Sequence, residues 1–104
     1  MKTNFFYNLG KNKLFPIYRS LTGRGNAKTL EIIKKNIGNL KILKFSSGSK
    51  VFDWQVPSEW NVKDACLIDK YNKKIIDFKR NNLHLVGYSM PIEKKLSKNQ
   101  ILKH

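Results

Sequence analysis

The clearest periodic pattern in the chain predicts an amphipathic helix between residues 26 and 38. Leu30, Ile33 and Ile37 recur with the spacing of a single helix face. Asn26 is a residue type that caps helix N-termini, and Gly38 is a type that follows helix C-termini. Lys28, Lys34 and Lys35 lie mostly away from the apolar stripe, which is typical of a solvated helix face.

An earlier apolar segment, before Pro16, predicts another helix. After residue 39 the apolar positions alternate with the two-residue period of a strand. The turn before the fourth strand contains Asn72, a residue type that tolerates positive φ. We therefore predict an α+β fold, with two N-terminal helices packed on a small mixed or antiparallel sheet of about five short strands. The predicted strands cover residues 40–45, 51–56, 62–69, 74–78 and 83–88.

The last residues predict the start of a further helix. Ser97 and Gln100 have the spacing of a capping box, in which each side chain satisfies a free backbone N–H group. The sequence ends at His104, about two helical turns later, and a helix that short is marginal unless it packs on something. We expect the chain to be truncated.

The predicted elements divide the chain into three parts. We treat residues 1–104 as a single domain or domain fragment with a helical part (1–38), a β-rich part (39–90) and the start of a further helix (91–104). A chain of this length can bury only a modest core, roughly 60–65% of its unfolded surface. The candidates for that core are the large apolar side chains of the β-rich part: Phe52, Trp54, Trp60, Phe78, Leu83 and Leu85.

The net charge of +14, from 21 Lys and Arg against 7 Asp and Glu, suggests an acidic partner such as nucleic acid. However, 18 of the basic residues are Lys, although Arg is the preferred reader of phosphates and base edges. The first 49 residues hold ten basic residues against Glu31 alone, while the aromatic middle is nearly neutral. We interpret the excess as lysine-rich drift and do not expect nucleic-acid binding, although a small basic nucleic-acid-binding module stays open as an alternative.

Cysteine and histidine usage excludes several kinds of site. Cys66, His84 and His104 are the only such residues, and none has the spacing of a metal-ligand pair. No nucleophile-elbow motif is present either, so we assign no catalytic residue and no metal ligand. The single cysteine fits a reducing compartment, and no apolar run approaches the ~20 residues of a membrane span. We expect a cytoplasmic protein with no membrane association.

The segment from Val51 to Trp60 is the densest in candidate chemistry. Two tryptophans flank a proline, and an acidic residue lies close to each of them. Aromatic faces and a carboxylate can bind a cation or an amine, so Trp54, Glu59 and Trp60 are candidates for a substrate cleft. The alternative, in which the two tryptophans hold a loop against a small core, stays open.

Three segments of the chain resemble a known family. They are FPIYRSLTGRG at residues 15–25, VFDWQVPSEWNVKDA at 51–65 and IDFKRNNLHLVGYS at 76–89. Together they resemble the N-terminal region of a bacterial aminopeptidase-like family with a zinc-peptidase fold. Members of this family often accompany polysaccharide-biosynthesis genes and include a small domain of unknown function. The likeness spans roughly residues 14–98.

The resemblance implies a function for the whole family and a limit for this chain. Full members resemble co-catalytic zinc aminopeptidases, in which metal ions activate a water molecule and a carboxylate acts as general base. The resemblance places their zinc ligands downstream of the matched region. It therefore implies zinc for the full-length family and no cofactor in this chain.

We accordingly predict the N-terminal fragment of an aminopeptidase-like zinc hydrolase, a truncated part of an α/β zinc-aminopeptidase-like fold. The fragment is non-catalytic on its own. Its expected partner is the rest of the aminopeptidase-like domain or a second copy of itself in a homo-oligomer. A docking subunit for a separate catalytic chain stays open as an alternative.

Overall fold

The computed structural model describes the backbone of residues 2–103 and the side chains of residues 4–103. It is an α+β structure with short elements. The helical elements are α1 (Lys2–Asn8), which continues as a π-helical segment (Leu9–Leu14), α2 (Arg24–Asn36), a 3-10 helix (Asn82–His84) and α3 (Lys98–Ile101). None of the helices in this part of the chain is both long enough and apolar enough to cross a membrane.

The strands form two separate antiparallel hairpins. The first pairs β1 (Lys50–Val51) with β2 (Trp54–Gln55), and the second pairs β3 (Cys66–Ile68) with β4 (Lys74–Asp77). The prediction of one sheet of about five strands is therefore wrong in strand number and in connectivity. Helices α1 and α2 also do not pack extensively on either hairpin in the region described, so the predicted helix-on-sheet layer is absent there.

One predicted strand, residues 51–56, is replaced by the β1–β2 hairpin, and two others are absent for different physical reasons. Residues 40–45 have the period of a strand but no neighbouring strand to pair with, and Leu43 is 75% exposed. At residues 83–88 the Asn81 side chain accepts a hydrogen bond from the Leu83 backbone N–H and starts the 3-10 helix. Tyr88 then has a φ of 62°, which is incompatible with continuing an extended strand.

Several local predictions are confirmed. The capping box at Ser97 and Gln100 is present, with the Ser97 backbone N–H donating to Gln100 Oε1 at 2.8 Å. Asn72 adopts the left-handed conformation, with a φ of 64°, in the turn between β3 and β4. Helix α2 contains Leu30 and Ile33 of the predicted apolar stripe and ends at Asn36, so that Ile37, the third predicted member, is its non-helical C-cap.

The structure is flat and lacks a buried core. Its extents are 53 × 44 × 19 Å and its radius of gyration is 18.0 Å, whereas a compact chain of this length has about 13 Å. The solvent-accessible surface is 9879 Å², against about 6,100 Å² for a compact monomer of this mass. No side chain among residues 4–103 is buried.

The predicted core is therefore only partly assembled. Trp60, Phe78 and Leu85 are half-buried. Phe52 is 100% exposed and Leu83 is 77% exposed, and Trp54 is also exposed, so the prediction for these three is wrong in this structure.

Candidate functional site

The three segments that resemble the family meet at one place in the structure, through four aromatic side chains. We call Tyr18, Trp60, Phe78 and Tyr88 the aromatic junction. The Trp60 ring lies 5.9 Å from that of Tyr18 and is stacked on that of Tyr88 at 6.0 Å. The Phe78 ring meets the Tyr18 ring edge to face at 6.3 Å. Such pairs contribute about 0.5–1.5 kcal/mol each beyond their buried area.

Polar atoms on the junction's rings bond to the backbone of a distant segment. The Tyr18 hydroxyl donates to the Leu85 carbonyl at 2.7 Å, and Trp60 Nε1 donates to the Ser89 carbonyl at 3.0 Å. The Asn82 side chain adds a third link by donating to the Phe15 carbonyl at 2.9 Å. These bonds join residues far apart in the sequence and fix the relative positions of the three segments.

A chain of hydroxyl groups runs along one side of the junction. The Trp60 backbone N–H donates to Thr22 Oγ1 at 3.3 Å, and Thr22 Oγ1 lies 2.6 Å from the Tyr88 hydroxyl. The Ser58 carbonyl lies 3.0 Å from the Tyr88 hydroxyl and 3.4 Å from Thr22 Oγ1, so either hydroxyl can donate to it while the other donates within the pair. The two hydroxyl groups and this carbonyl therefore form one hydrogen-bonded group.

The first turn of α2 is packed tightly against the junction. Helix α2 begins at Arg24, two residues before the predicted cap Asn26, and its N-terminal neighbour Gly23 has a φ of 104°. The capping oxygen comes from a distant residue, because the Arg24 backbone N–H donates to Asn61 Oδ1 at 2.8 Å. Asn26 instead donates its side-chain N–H to the Ser20 carbonyl at 2.7 Å, so its predicted role as the cap is wrong.

A small open cleft lies between the junction and α2. Its volume is about 190 Å³, and two cationic residues, Arg24 and Lys63, belong to its wall. The complete lining is Tyr18, Ser20, Thr22, Arg24, Gly25, Trp60, Asn61, Val62 and Lys63. This wall contains neither a carboxylate nor a histidine, so the cleft has no general base of its own.

The described part of the chain contains no cluster of metal-ligating side chains. Between residues 2 and 103, no three His, Cys, Asp or Glu side chains lie close enough together to hold a metal ion. Cys66 is exposed and His84 lies in the 3-10 helix. The residues present therefore do not fit a zinc site.

The three residues predicted for a substrate cleft are not brought together. Trp60 is half-buried in the aromatic junction. Trp54 lies on β2 and is 55% exposed, and Glu59 is exposed beside the junction. In the described part of the chain, neither Trp54 nor Glu59 makes a hydrogen bond or a ring contact with the junction. A substrate role for these residues stays a prediction.

Sequence reasoning missed most of the residues that build this site. Tyr18, Thr22 and Tyr88 were not among the candidates, although each lies inside a segment that resembles the family. The usable signal was the presence of an aromatic residue with a polar atom in each of those segments. Aromatic spacing alone does not show which rings meet, because these rings are 42 and 28 residues from Trp60.

Comparisons with known proteins match almost the whole chain. The family described as "Domain of unknown function (DUF4910)" matches residues 7–102. A Clostridium acetobutylicum protein named "Putative polysaccharide biosynthesis protein with aminopeptidase-like domain" is 50% identical over 95 residues, which are 91% of this chain and 21% of that protein.

A solved structure, described as that of a "putative peptidase" from Clostridium acetobutylicum, superposes with a TM-score of 0.91 at 47% identity. The match covers 98% of this chain and 24% of that one. The chain thus spans less than a quarter of the length of each of these relatives.

Proposed function

Since the chain belongs to the family described as "Domain of unknown function (DUF4910)", we propose that it is a non-catalytic segment of an aminopeptidase-like hydrolase. In this proposal its fold is completed by a catalytic part outside the sequence. The proposal rests on one observation. The chain superposes closely on part of a peptidase-like structure, yet none of its described side chains is buried.

The size of the exposed surface supports a permanent partner. The chain exposes about 3,800 Å² more than a compact monomer of its mass. Weak transient interfaces bury less than about 1,200 Å² summed over both partners, while obligate interfaces bury about 2,000–5,000 Å² on the same measure, or about 1,000–2,500 Å² per partner. The excess on this chain alone is larger than one partner's share of such an obligate interface, so it supports a surface that is permanently covered.

The chemistry of hydrolysis would come from the partner part. Zinc, when bound there, would lower the pKa of a water molecule and polarise the scissile carbonyl. The described residues do not form a site for that metal, so no step of the reaction is assigned to them. The exposed, unpaired Cys66 is compatible with the cytoplasmic location that we propose.

We assign different roles to the three candidate cleft residues. The Trp60 ring contacts the rings of Tyr18 and Tyr88, and its Nε1–H donates to a backbone carbonyl, so Trp60 would position the segment. Trp54 and Glu59 have exposed side chains that are available to a substrate. An aromatic face and a carboxylate suit the free α-amino group of a peptide.

The proposal is tested with a hybrid protein, in which this chain replaces the aligned residues of the Clostridium acetobutylicum relative. We expect the hybrid to release N-terminal amino acids from aminoacyl 4-nitroanilides in a Zn²⁺-dependent manner, and the isolated chain to release none. The parent relative is the matched control. Metal-dependent release by the purified isolated chain would contradict the non-catalytic role.

Asn61→Ala tests the remote cap of α2. In the hybrid we expect a loss of about 1 kcal/mol of unfolding free energy, because the Arg24 N–H loses its acceptor. Asn12→Ala, at an exposed position, is the control and should change the stability little. The measurement is urea denaturation followed by circular dichroism. Equal effects of the two substitutions would exclude the cap.

A further inference from the structure

The tip of the β1–β2 hairpin carries an unusual residue. Only Phe52 and Asp53 connect Val51 to Trp54, and Phe52 has a φ of 54°. Glycine, asparagine and aspartate account for most residues in this left-handed region, and a bulky aromatic residue there is an outlier. The Phe52 side chain is also 100% exposed. The hairpin thus holds a large apolar ring in solvent on a strained backbone.

The second hairpin shows how such a turn is normally built. Its tip between β3 and β4 uses Asn72 for the positive φ. The Asp69 side chain further stabilises that turn by accepting from the Tyr71 and Lys73 backbone N–H groups at 2.9 Å. Turn chemistry therefore explains Asn72, but it gives no reason for phenylalanine at position 52.

We propose that Phe52 is an anchor that inserts into an apolar pocket of the catalytic part of the aminopeptidase-like hydrolase. This inference rests on the function proposed above. Strained residues persist where surrounding structure compensates them, and exposed aromatic side chains of this kind are typical centres of protein interfaces. Burial of the ring in the partner would compensate both the exposure and the strain.

The structure favours this occupant over a second copy of the chain. More than three quarters of each relative lies outside the matched region, which supplies a large surface in the same protein. The superposition covers 98% of this chain, so the hairpin belongs to the fold shared with that larger structure. Lys50 and Asp53 flank the tip with opposite charges, so insertion does not bring a net charge into the pocket.

Thiol labelling of a cysteine introduced at position 52, read by mass spectrometry of the peptide that contains it, tests the anchor. Phe52→Cys is made together with Cys66→Ser, because Cys66 is exposed and would also react. We expect a thiol-specific reagent to label the folded hybrid at least about 100-fold more slowly than the isolated chain. Equal labelling rates in a folded hybrid would overturn the anchor and leave the proposed function intact.

A second variant keeps the test independent of the cysteine. Phe52→Gly relieves the backbone strain, so a purely local role predicts an unchanged or higher unfolding temperature of the hybrid. The anchor predicts that Phe52→Gly lowers the unfolding temperature of the hybrid by at least 5 °C. Tyr71→Ala, at the exposed tip of the other hairpin, is the control, and its effect should be smaller. An unchanged or higher unfolding temperature of Phe52→Gly would overturn the anchor.

The remaining outcomes also decide the proposal. A hybrid that does not fold would contradict the proposed function and the anchor together. Labelling of the isolated chain that slows with rising protein concentration would identify a second copy as the occupant and overturn the proposal. Analytical ultracentrifugation of the isolated chain and of its Phe52→Gly variant would show the same dimer directly.

Discussion

Replacing Gly25 by alanine is expected to lower the unfolding free energy of the hybrid by about 3 kcal/mol. A Cβ atom at this position would overlap the Tyr18 carbonyl oxygen. The obstacle is backbone, so a change of side-chain rotamer cannot relieve it. Helix α2 would have to move away from the aromatic junction, and the hydrogen bond from the Arg24 N–H to Asn61 would be lost with it.

Gly38→Ala is the matched control for that experiment. A Cβ atom at Gly38 would meet nothing within 4 Å, and we expect a change within about 0.5 kcal/mol. Both variants are compared by urea denaturation of the hybrid at equal protein concentration. If Gly25→Ala were as mild as Gly38→Ala, the close packing of α2 on the residues around Tyr18 would be disproved.

The features that could be predicted from sequence are those fixed by neighbouring residues. The capping box at Ser97 and the left-handed turn at Asn72 each depend on the chemistry of a few adjacent residues. The apolar stripe of α2 likewise needs only a period of 3.6 residues. The alternation at residues 40–45 is equally clear, but a strand also needs a partner strand, and residues 2–103 offer none there.

The candidate site was harder to predict because it depends on contacts between distant residues. Trp60 was identified from the density of aromatic and acidic residues around it. Its partners Tyr18 and Tyr88 come from two other segments, and no local pattern indicates which rings will meet. The cap of α2 by Asn61 was missed for the same reason, since a local candidate, Asn26, was available.

The charge of the chain is compatible with lysine-rich drift on solvated surfaces. In the described residues only two ion pairs are found, Lys74 with Asp77 at 3.7 Å and Lys79 with Asp64 at 3.8 Å. Exposed pairs of this kind contribute about 0–1 kcal/mol. The positive charge therefore adds little to the stability of the fold. It is also not concentrated in the aromatic junction, whose contacts are ring stacking and hydrogen bonds between neutral groups.

The isolated chain is expected to show no cooperative unfolding transition, whereas the hybrid should unfold in one sigmoidal step. Small domains retain a net stability of only about 5–15 kcal/mol, and most of the favourable side comes from apolar burial. This chain leaves about 3,800 Å² more surface in water than a compact monomer of its mass. The hydrogen bonds of the junction cannot replace that burial, since each contributes about 1 kcal/mol net.

Urea denaturation measures this difference most directly. In the isolated chain Trp54→Phe leaves Trp60 as the only tryptophan, so its fluorescence reports the aromatic junction, and the hybrid is followed by circular dichroism. In the isolated chain we expect a gradual change from zero urea, and in the hybrid a single transition with a clear folded baseline. A sigmoidal transition of the monomeric isolated chain, with an unfolding free energy near 5 kcal/mol, would contradict the need for a partner. The junction alone would then be sufficient to hold the three segments together.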